Sequence, residues 1–253
     1  MSDVVLVHGA WAGSWVWDTV TGPLLAEGHT PHALSLPGVG RWSDGDVTLD
    51  DVAGHVAEYV DGLEGTVVVV GHSGGGIVAT QVAEMMPDRV GGVAYVAGMM
   101  LPSGVDFGQL CDGLGLEPPV GISKWLQVTA DGRGTVVPPE AAAAVFFHEA
   151  DAVDAIEAAR RLRPQLETAR LMAPTWTTDR FGSLPRLYIE AIHDRSVPLA
   201  AQREMQRLAP GATVVSLDAD HAPQLSARAE LAEALVEWCS AVGRAPSVGV
   251  GSR

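Results

Sequence analysis

The chain has 253 residues, 47% of them hydrophobic and 19% charged, which suits one large globular domain and excludes a disordered polymer. Lys and Arg total 16 against 31 Asp and Glu, a formal net charge of −15 that repels nucleic-acid backbones and anionic membrane surfaces. Cys111 and Cys239 are too few for a disulfide framework or a metal cluster, no apolar run approaches the ~20 residues that span a bilayer, and MSDVVLVHG enters an apolar strand without a basic leader, so a cytoplasmic protein with reduced thiols is expected.

In chain order, VVLV at 4–7 predicts a buried strand and HALSL at 32–36 a weaker one. Between them SWVWDTVTGPLLAEG reads as a helix in which Pro23 imposes a kink or a late start. LDDVAGHVAEYVDGLEG sets Val52, Val56, Tyr59, Val60 and Leu63 on one helical face, with Thr48 and Asp51 as a capping box and Gly65 as the stop. Strand blocks follow in TVVVV at 66–70 and VAYVA at 93–97. Residues 100–183 then carry no strand pattern but two helical patches, the clearer in PEAAAAVFFHEADAVDAIEAARRL. The alternation resumes with RLYIEAI at 186–192, TVVSL at 213–217 and the helix ARAELAEALVEWCSAV, for which Ser226 is the expected N-cap.

Apolar strands alternating with amphipathic helices predict an α/β fold, a mostly parallel sheet flanked by helices on both faces. The expected organisation is a core of residues 1–99 and 184–243, a small helical cap at 100–183 inserted between core strands, and a disordered tail at 244–253.

Residues 67–84, VVVVGHSGGGIVATQVAE, run from a β-branched block into glycines around one serine. Gly71-His72-Ser73-Gly74-Gly75 fits G-x-S-x-G between a strand and a helix, the setting of a nucleophile elbow. There the tight turn strains the serine backbone and exposes its hydroxyl, while the glycines admit neighbouring chain. No G-x-x-x-x-G-K-[ST] follows, and no acidic residue closes the next strand, which sets phosphate-cradle and dinucleotide sites aside.

A serine nucleophile needs a base and a group that orients the base, here expected on loops after later strands in the order acid, then histidine. His221, in LDADHAP after the last strand, fits the base. Asp194, in YIEAIHDRSVP, fits the acid. Its rivals are Glu190, on the strand itself, and Asp218 and Asp220, close in sequence to His221. Backbone N–H groups of Ala10, after His8 and Gly9, and of Gly74 are the candidate oxyanion donors, with His8 bracing the loop. His29, His32, His55, His72, His148 and His193 show no spacing that suggests a metal, and none is expected.

The stretches VLVHGAWAGSWVW…LLAEGH, VGHSGGG, YIEAIHDRSVP and DADHAPQLS together resemble the α/β-hydrolase superfamily over about residues 3–240. The resemblance is narrower still to the branch of plant methyl esterases, hydroxynitrile lyases and bacterial esterase relatives, whose bacterial caps FFHEADAVDAIEAARRLRPQ resembles. It implies a Ser73–His221–Asp194 triad, oxyanion donors at Ala10 and Gly74, a small helical lid and no cofactor. Lyases of this branch carry threonine after the first-strand histidine, lysine after the catalytic histidine and commonly glutamate before the nucleophile. Here those positions are Gly9, Ala222 and His72, which favours ester hydrolysis. Gly74 also replaces a larger residue common in the branch, widening the pocket floor.

The expected function is a serine hydrolase cleaving a neutral, largely hydrophobic small-molecule ester through an acyl-enzyme. The alternatives are a hydroxynitrile-type C–C lyase and a non-catalytic ligand-binding protein on the same fold. Of Trp11, Phe107, Trp125, Phe146, Phe147 and Trp176, the substrate-binding candidates are Trp11 and above all Trp125. No nucleic-acid or membrane partner is expected, and a homodimer stays open.

Overall fold

The computed structural model describes residues 1–42 and 45–243, and the tail expected at 244–253 lies outside them. After β1 (Asp3–Val7) a 3₁₀ turn at Ser14–Trp17 leads into α1 (Asp18–Ala26), β2 (Thr30–Leu34) and α2 (Leu49–Asp61). The chain continues with β3 (Val67–His72), α3 (Gly75–Met85) and β4 (Val90–Val96), then enters a long insertion. The insertion holds α4 (Phe107–Gly113), a 3₁₀ turn at Gly121–Trp125, β5 (Gln127–Val128), β6 (Gly134–Val136), α5 (Pro139–Val145), α6 (Ala152–Arg161) and β7 (Gln165–Leu166). The core resumes with β8 (Arg186–Ala191), α7 (Leu199–Leu208), β9 (Ala212–Leu217), α8 (Pro223–Ser226) and α9 (Arg228–Val242).

Six strands form one parallel sheet in the order β2-β1-β3-β4-β8-β9. Because strand side chains alternate, Val5, Val7, Val67, Val69, Val93 and Tyr95 face α2, α3 and α7. Their neighbours Val4, Leu6, Val68, Val70, Ala94 and Val96 face α1 and α9. Both faces are covered, so these strands are apolar throughout, and each fully buried valine stabilises the fold by about 1.5–3 kcal/mol relative to exposure.

Several local expectations shift. The weaker strand lies at Thr30–Leu34, because the chain turns off the sheet at Ser35 and the Leu36 N–H meets His8 Nε2 at 3.1 Å. The Thr48–Asp51 capping box forms, but α2 ends at Gly62, whose N–H meets the Glu58 carbonyl, and Gly65 lies beyond it. Pro23 sits inside α1, which starts at Asp18 after the 3₁₀ turn. Ser226 does not cap α9: Ala227 holds that position, and the serine hydroxyl donates instead to Asp220 Oδ1 at 2.8 Å. The insertion is not purely helical, since β5, β6 and β7 form an antiparallel three-stranded sheet. Strands of two or three residues are too short for alternation to register.

The insertion, called the cap below, packs its own apolar cluster of Ile122, Ala142, Val145, Phe146 and Phe147 against Trp11 of the core. Its ends leave and rejoin the sheet at β4 and β8, which pair directly from Val93↔Arg186 to Val96↔Ile189.

The helix α3 starts so close to the end of β1 that a Cβ on Gly75 would lie 2.5 Å from the Val7 carbonyl oxygen and 2.6 Å from that of His8. Gly75→Ala is therefore expected to lower the unfolding free energy by ~1–3 kcal/mol through overpacking. The measurement is the urea midpoint at unchanged slope, and an unmoved midpoint would mean that α3 can slide off β1.

Candidate active site

The turn from β3 to α3 holds Ser73 in left-handed backbone geometry, φ 51°, which non-glycine residues rarely adopt. Its N–H donates to the Val96 carbonyl at 3.2 Å, and its own carbonyl accepts from Met99 at 2.8 Å and Gly76 at 3.0 Å. These bonds from β4, the chain beyond it and the first turn of α3 hold the strain in place. Glycine is required before the serine and on the loop facing it: a Cβ on Gly71 would lie 2.5 Å from the Gly75 carbonyl oxygen, and one on Gly9 would lie 2.8 Å from the Ser73 Cβ. The elbow geometry is thus forced by neighbouring backbone as well as by the turn itself.

The hydroxyl of Ser73 lies 3.0 Å from His221 Nε2, and His221 Nδ1 lies 2.7 Å from Asp194 Oδ2. The loops after β9 and β8 deliver the two partners. With a carboxylate facing Nδ1, that nitrogen carries the proton and Nε2 is free to accept from the serine. Asp194 is fixed through its other oxygen, which accepts the N–H groups of Ser196 at 2.7 Å and Val197 at 2.8 Å. The rival carboxylates are engaged elsewhere. Glu190 meets Arg203, Gln206 and Ser216, Asp218 meets His193, and Asp220 meets Glu149, Ala222 and Ser226.

A Cβ built on Gly74 would lie 3.9 Å from the Ala10 backbone nitrogen, so the two residues that carry the candidate oxyanion donors adjoin. Both border the same cavity as Ser73 and His221. The His8 ring braces their loop: Nδ1–H donates to the Gly9 carbonyl at 2.8 Å, and Nε2 accepts from Leu36.

The cavity measures about 380 Å³ and runs between core and cap. Trp11, Phe107, Phe146 and Phe147 give it aromatic walls. Trp11 has φ 59°, stacks on Phe146 at 6.3 Å and donates its indole N–H to Thr135 Oγ1 at 3.2 Å. Trp125 is not a wall. It ends its 3₁₀ turn 51% exposed, with Lys124 Nζ over its ring, while Ile122 of the same turn is buried and lines the cavity. Trp176 packs on Phe181, away from the site.

Two features escaped the sequence reading. Phe146 lies 5.0 Å from the His221 ring, tilted by 31°. His72, the variable residue of the elbow motif, donates Nε2–H to the His221 carbonyl at 2.8 Å. Neither has a spacing signal, because each contact joins segments far apart in sequence. Among the described residues Glu149, His193 and Asp218 also bring ligand-type atoms within 4.8 Å of one another. All three are exposed, and His193 hydrogen-bonds Asp218 at 2.6 Å, an arrangement that needs no ion. No helix among the described residues is long and apolar enough to cross a membrane.

The chain resembles one known family, several relatives and several solved structures. The profile of the alpha/beta hydrolase family matches residues 4–234. The chain is 32% identical over 251 residues to a pyrethroid hydrolase of Sphingobium wenxiniae, covering 95% of this chain and 89% of the relative. It is 30% identical over 253 residues to Methylesterase 7 of Arabidopsis thaliana, covering 92% and 94%. Among solved structures, a pyrethroid hydrolase from Sphingobium faniae superposes with a TM-score of 0.82 at 31% identity, covering 97% of this chain and 98% of the other. An Arabidopsis methylesterase superposes with a TM-score of 0.80 at 22% identity over 95% and 99%, a likeness of fold.

Burial pushes His8 from its ordinary 6.5 down to about 4, and pushes His72, with His221 adding to the effect, down to about 3. In the unfolded chain both take up a proton near 6.5. Their contribution to stability is therefore complete above that pH and is lost as pH falls toward the folded values. His29 is shifted the same way, whereas lowered carboxylates such as Glu167 and Glu190 act only below their ordinary 4.5. Between pH 6.5 and 5 the unfolding free energy is expected to drop, by up to ~1.4 kcal/mol per pH unit for each imidazole. His72→Gln should remove one such increment from the slope measured by urea titration, and an unchanged slope would assign the protonation to other groups.

Proposed function

The chain belongs to the alpha/beta hydrolase family, and on that footing we propose that it hydrolyses carboxylic esters through a covalent acyl-serine. The observation that carries the reading is the unbroken relay from Ser73 to His221 to Asp194, with contacts of 3.0 and 2.7 Å, at the wall of an apolar cavity.

Ser73 Oγ attacks the ester carbonyl as His221 Nε2 takes its proton. Asp194 keeps Nδ1 protonated and stabilises the imidazolium that forms. The oxyanion rests against the Ala10 and Gly74 N–H groups, each such donor supporting about 2.7–4 kcal/mol of barrier reduction. His221 then protonates the departing alcohol, and water repeats the sequence to release the acid. Nothing in these steps calls for a metal or an organic cofactor.

A neutral, largely hydrophobic ester with a bulky or aromatic part is the substrate class that fits. A volume of about 380 Å³ lies in the range of small-molecule sites, and its aromatic walls favour apolar groups over charged ones. Relatives named as a pyrethroid hydrolase and a methylesterase support the reaction class. Lyase chemistry is not favoured, since the position after His221 is the buried Ala222, which offers no cation to a leaving group. A cytoplasmic setting is supported by Cys111 and Cys239, both buried free thiols that burial pushes up to about 11 and 12.

The test is hydrolysis of p-nitrophenyl esters from acetate to octanoate. Ser73→Ala should abolish turnover of every ester the wild type accepts, and Asp194→Asn should lower kcat by about 10⁴-fold by allowing the wrong imidazole tautomer. Turnover that persists in Ser73→Ala would overturn the assignment.

A further inference from the structure

The triad accounts for Asp194 and leaves a second buried carboxylate, Asp220, immediately before the catalytic histidine. Asp220 is 0% exposed. Its two oxygens divide their partners by region. Oδ1 accepts the Ala222 N–H at 3.0 Å and the Ser226 hydroxyl at 2.8 Å, both on the histidine loop and α8. Oδ2 accepts the Glu149 N–H at 2.8 Å, which belongs to the cap.

Glu149 lies three residues beyond Phe146, the ring that rests on the His221 imidazole at 5.0 Å. On the other side of Phe146, the Ala144 carbonyl accepts from Arg195 Nη1 at 3.1 Å. The residue after Asp194 and the residue before His221 therefore each grip the cap, one on either side of Phe146. Burying a carboxylate is costly unless its lone pairs are filled, and here one of the three donors comes from the cap. A cap that lifts away strands that oxygen, so Asp220 links the position of the cap to that of the base.

We infer that Asp220 is a positioning residue that seats the cap on the catalytic imidazole, so that the Ser73–His221 pair is competent only with Phe146 in place. The inference rests on the hydrolase reading above, and its test separates the two. Asp220→Asn keeps one acceptor oxygen and turns the other site into a donor, so it cannot serve the cap and the loop together. Labelling of Ser73 by a small fluorophosphonate reports the serine–histidine pair directly, and p-nitrophenyl acetate and octanoate report turnover.

Asp220→Asn is expected to slow labelling by at least ~10-fold and to lower kcat for both esters alike, since sub-ångström to 1 Å displacements of a catalytic group have effects of that order. In a Phe146→Ala background the same substitution should cost less than about 3-fold, the non-additivity of groups acting through one contact. Ser226→Ala, which removes a single donor, should slow labelling in the same direction by a smaller factor and serves if the asparagine variant does not fold. Labelling of the substituted protein at the wild-type rate, a loss confined to octanoate, or full additivity with Phe146→Ala would overturn the inference alone. A wild type that is never labelled would overturn the hydrolase reading itself.

Discussion

Three stretches of backbone converge at the turn after β3 at distances that no Cβ would tolerate. The end of β1 presses on Gly75, the start of α3 presses on Gly71, and the serine turn itself presses on Gly9 of the first loop. The remaining geometry of the site follows from this contact. It forces Ser73 to φ 51°, turns its hydroxyl toward the cavity, and brings the Ala10 nitrogen next to Gly74. It also sets where His221 must arrive, because His72, locked in the same turn, holds the His221 carbonyl. The surrounding valine-rich strands supply the stability against which a strained turn of this kind can be maintained.

The core elements and the meeting of Ser73, His221 and Asp194 were legible because each has a short-range signature. Continuous β-branched blocks mark strands buried on both faces, the glycine spacing marks the elbow, and chain order marks the acid and the base. What could not be read is what depends on meeting at a distance. Ser226 has the right type and place for a helix cap, yet Asp220 takes its hydroxyl. Trp125 and Ile122 share one turn, and only packing decides that the isoleucine faces the cavity while the tryptophan faces solvent. The β5-β6-β7 sheet is built from strands of two or three residues, below the length at which a period of two can be seen. Asp220 and Glu149 meet across 71 residues of sequence, a pairing that neither neighbourhood announces.

The site stabilises buried negative charge with dipoles. Asp194 and Asp220 each accept two backbone N–H groups, and His221 is the one residue that forms an ion-pair contact with either among the described residues. Backbone donors do not titrate and need no long flexible side chain to be immobilised, so the carboxylates keep their places without competing cations. In a chain with a net charge of −15, pairs on the exterior such as Arg161 with Asp18 and Arg207 with Glu204 are open to screening by salt.

The cap departs after β4 and returns at β8, and those two strands are hydrogen-bonded neighbours. Its two ends are therefore held close together by the sheet whatever lies between them. Closing such a loop costs only about 0.6 kcal/mol more for each doubling of its length. Insertions, deletions and wholesale replacement of cap segments can accumulate there without shifting the register of a single core strand. The architecture thus combines two tolerances, a turn around Ser73 that hardly admits an added methyl group and a cap whose length the sheet does not constrain.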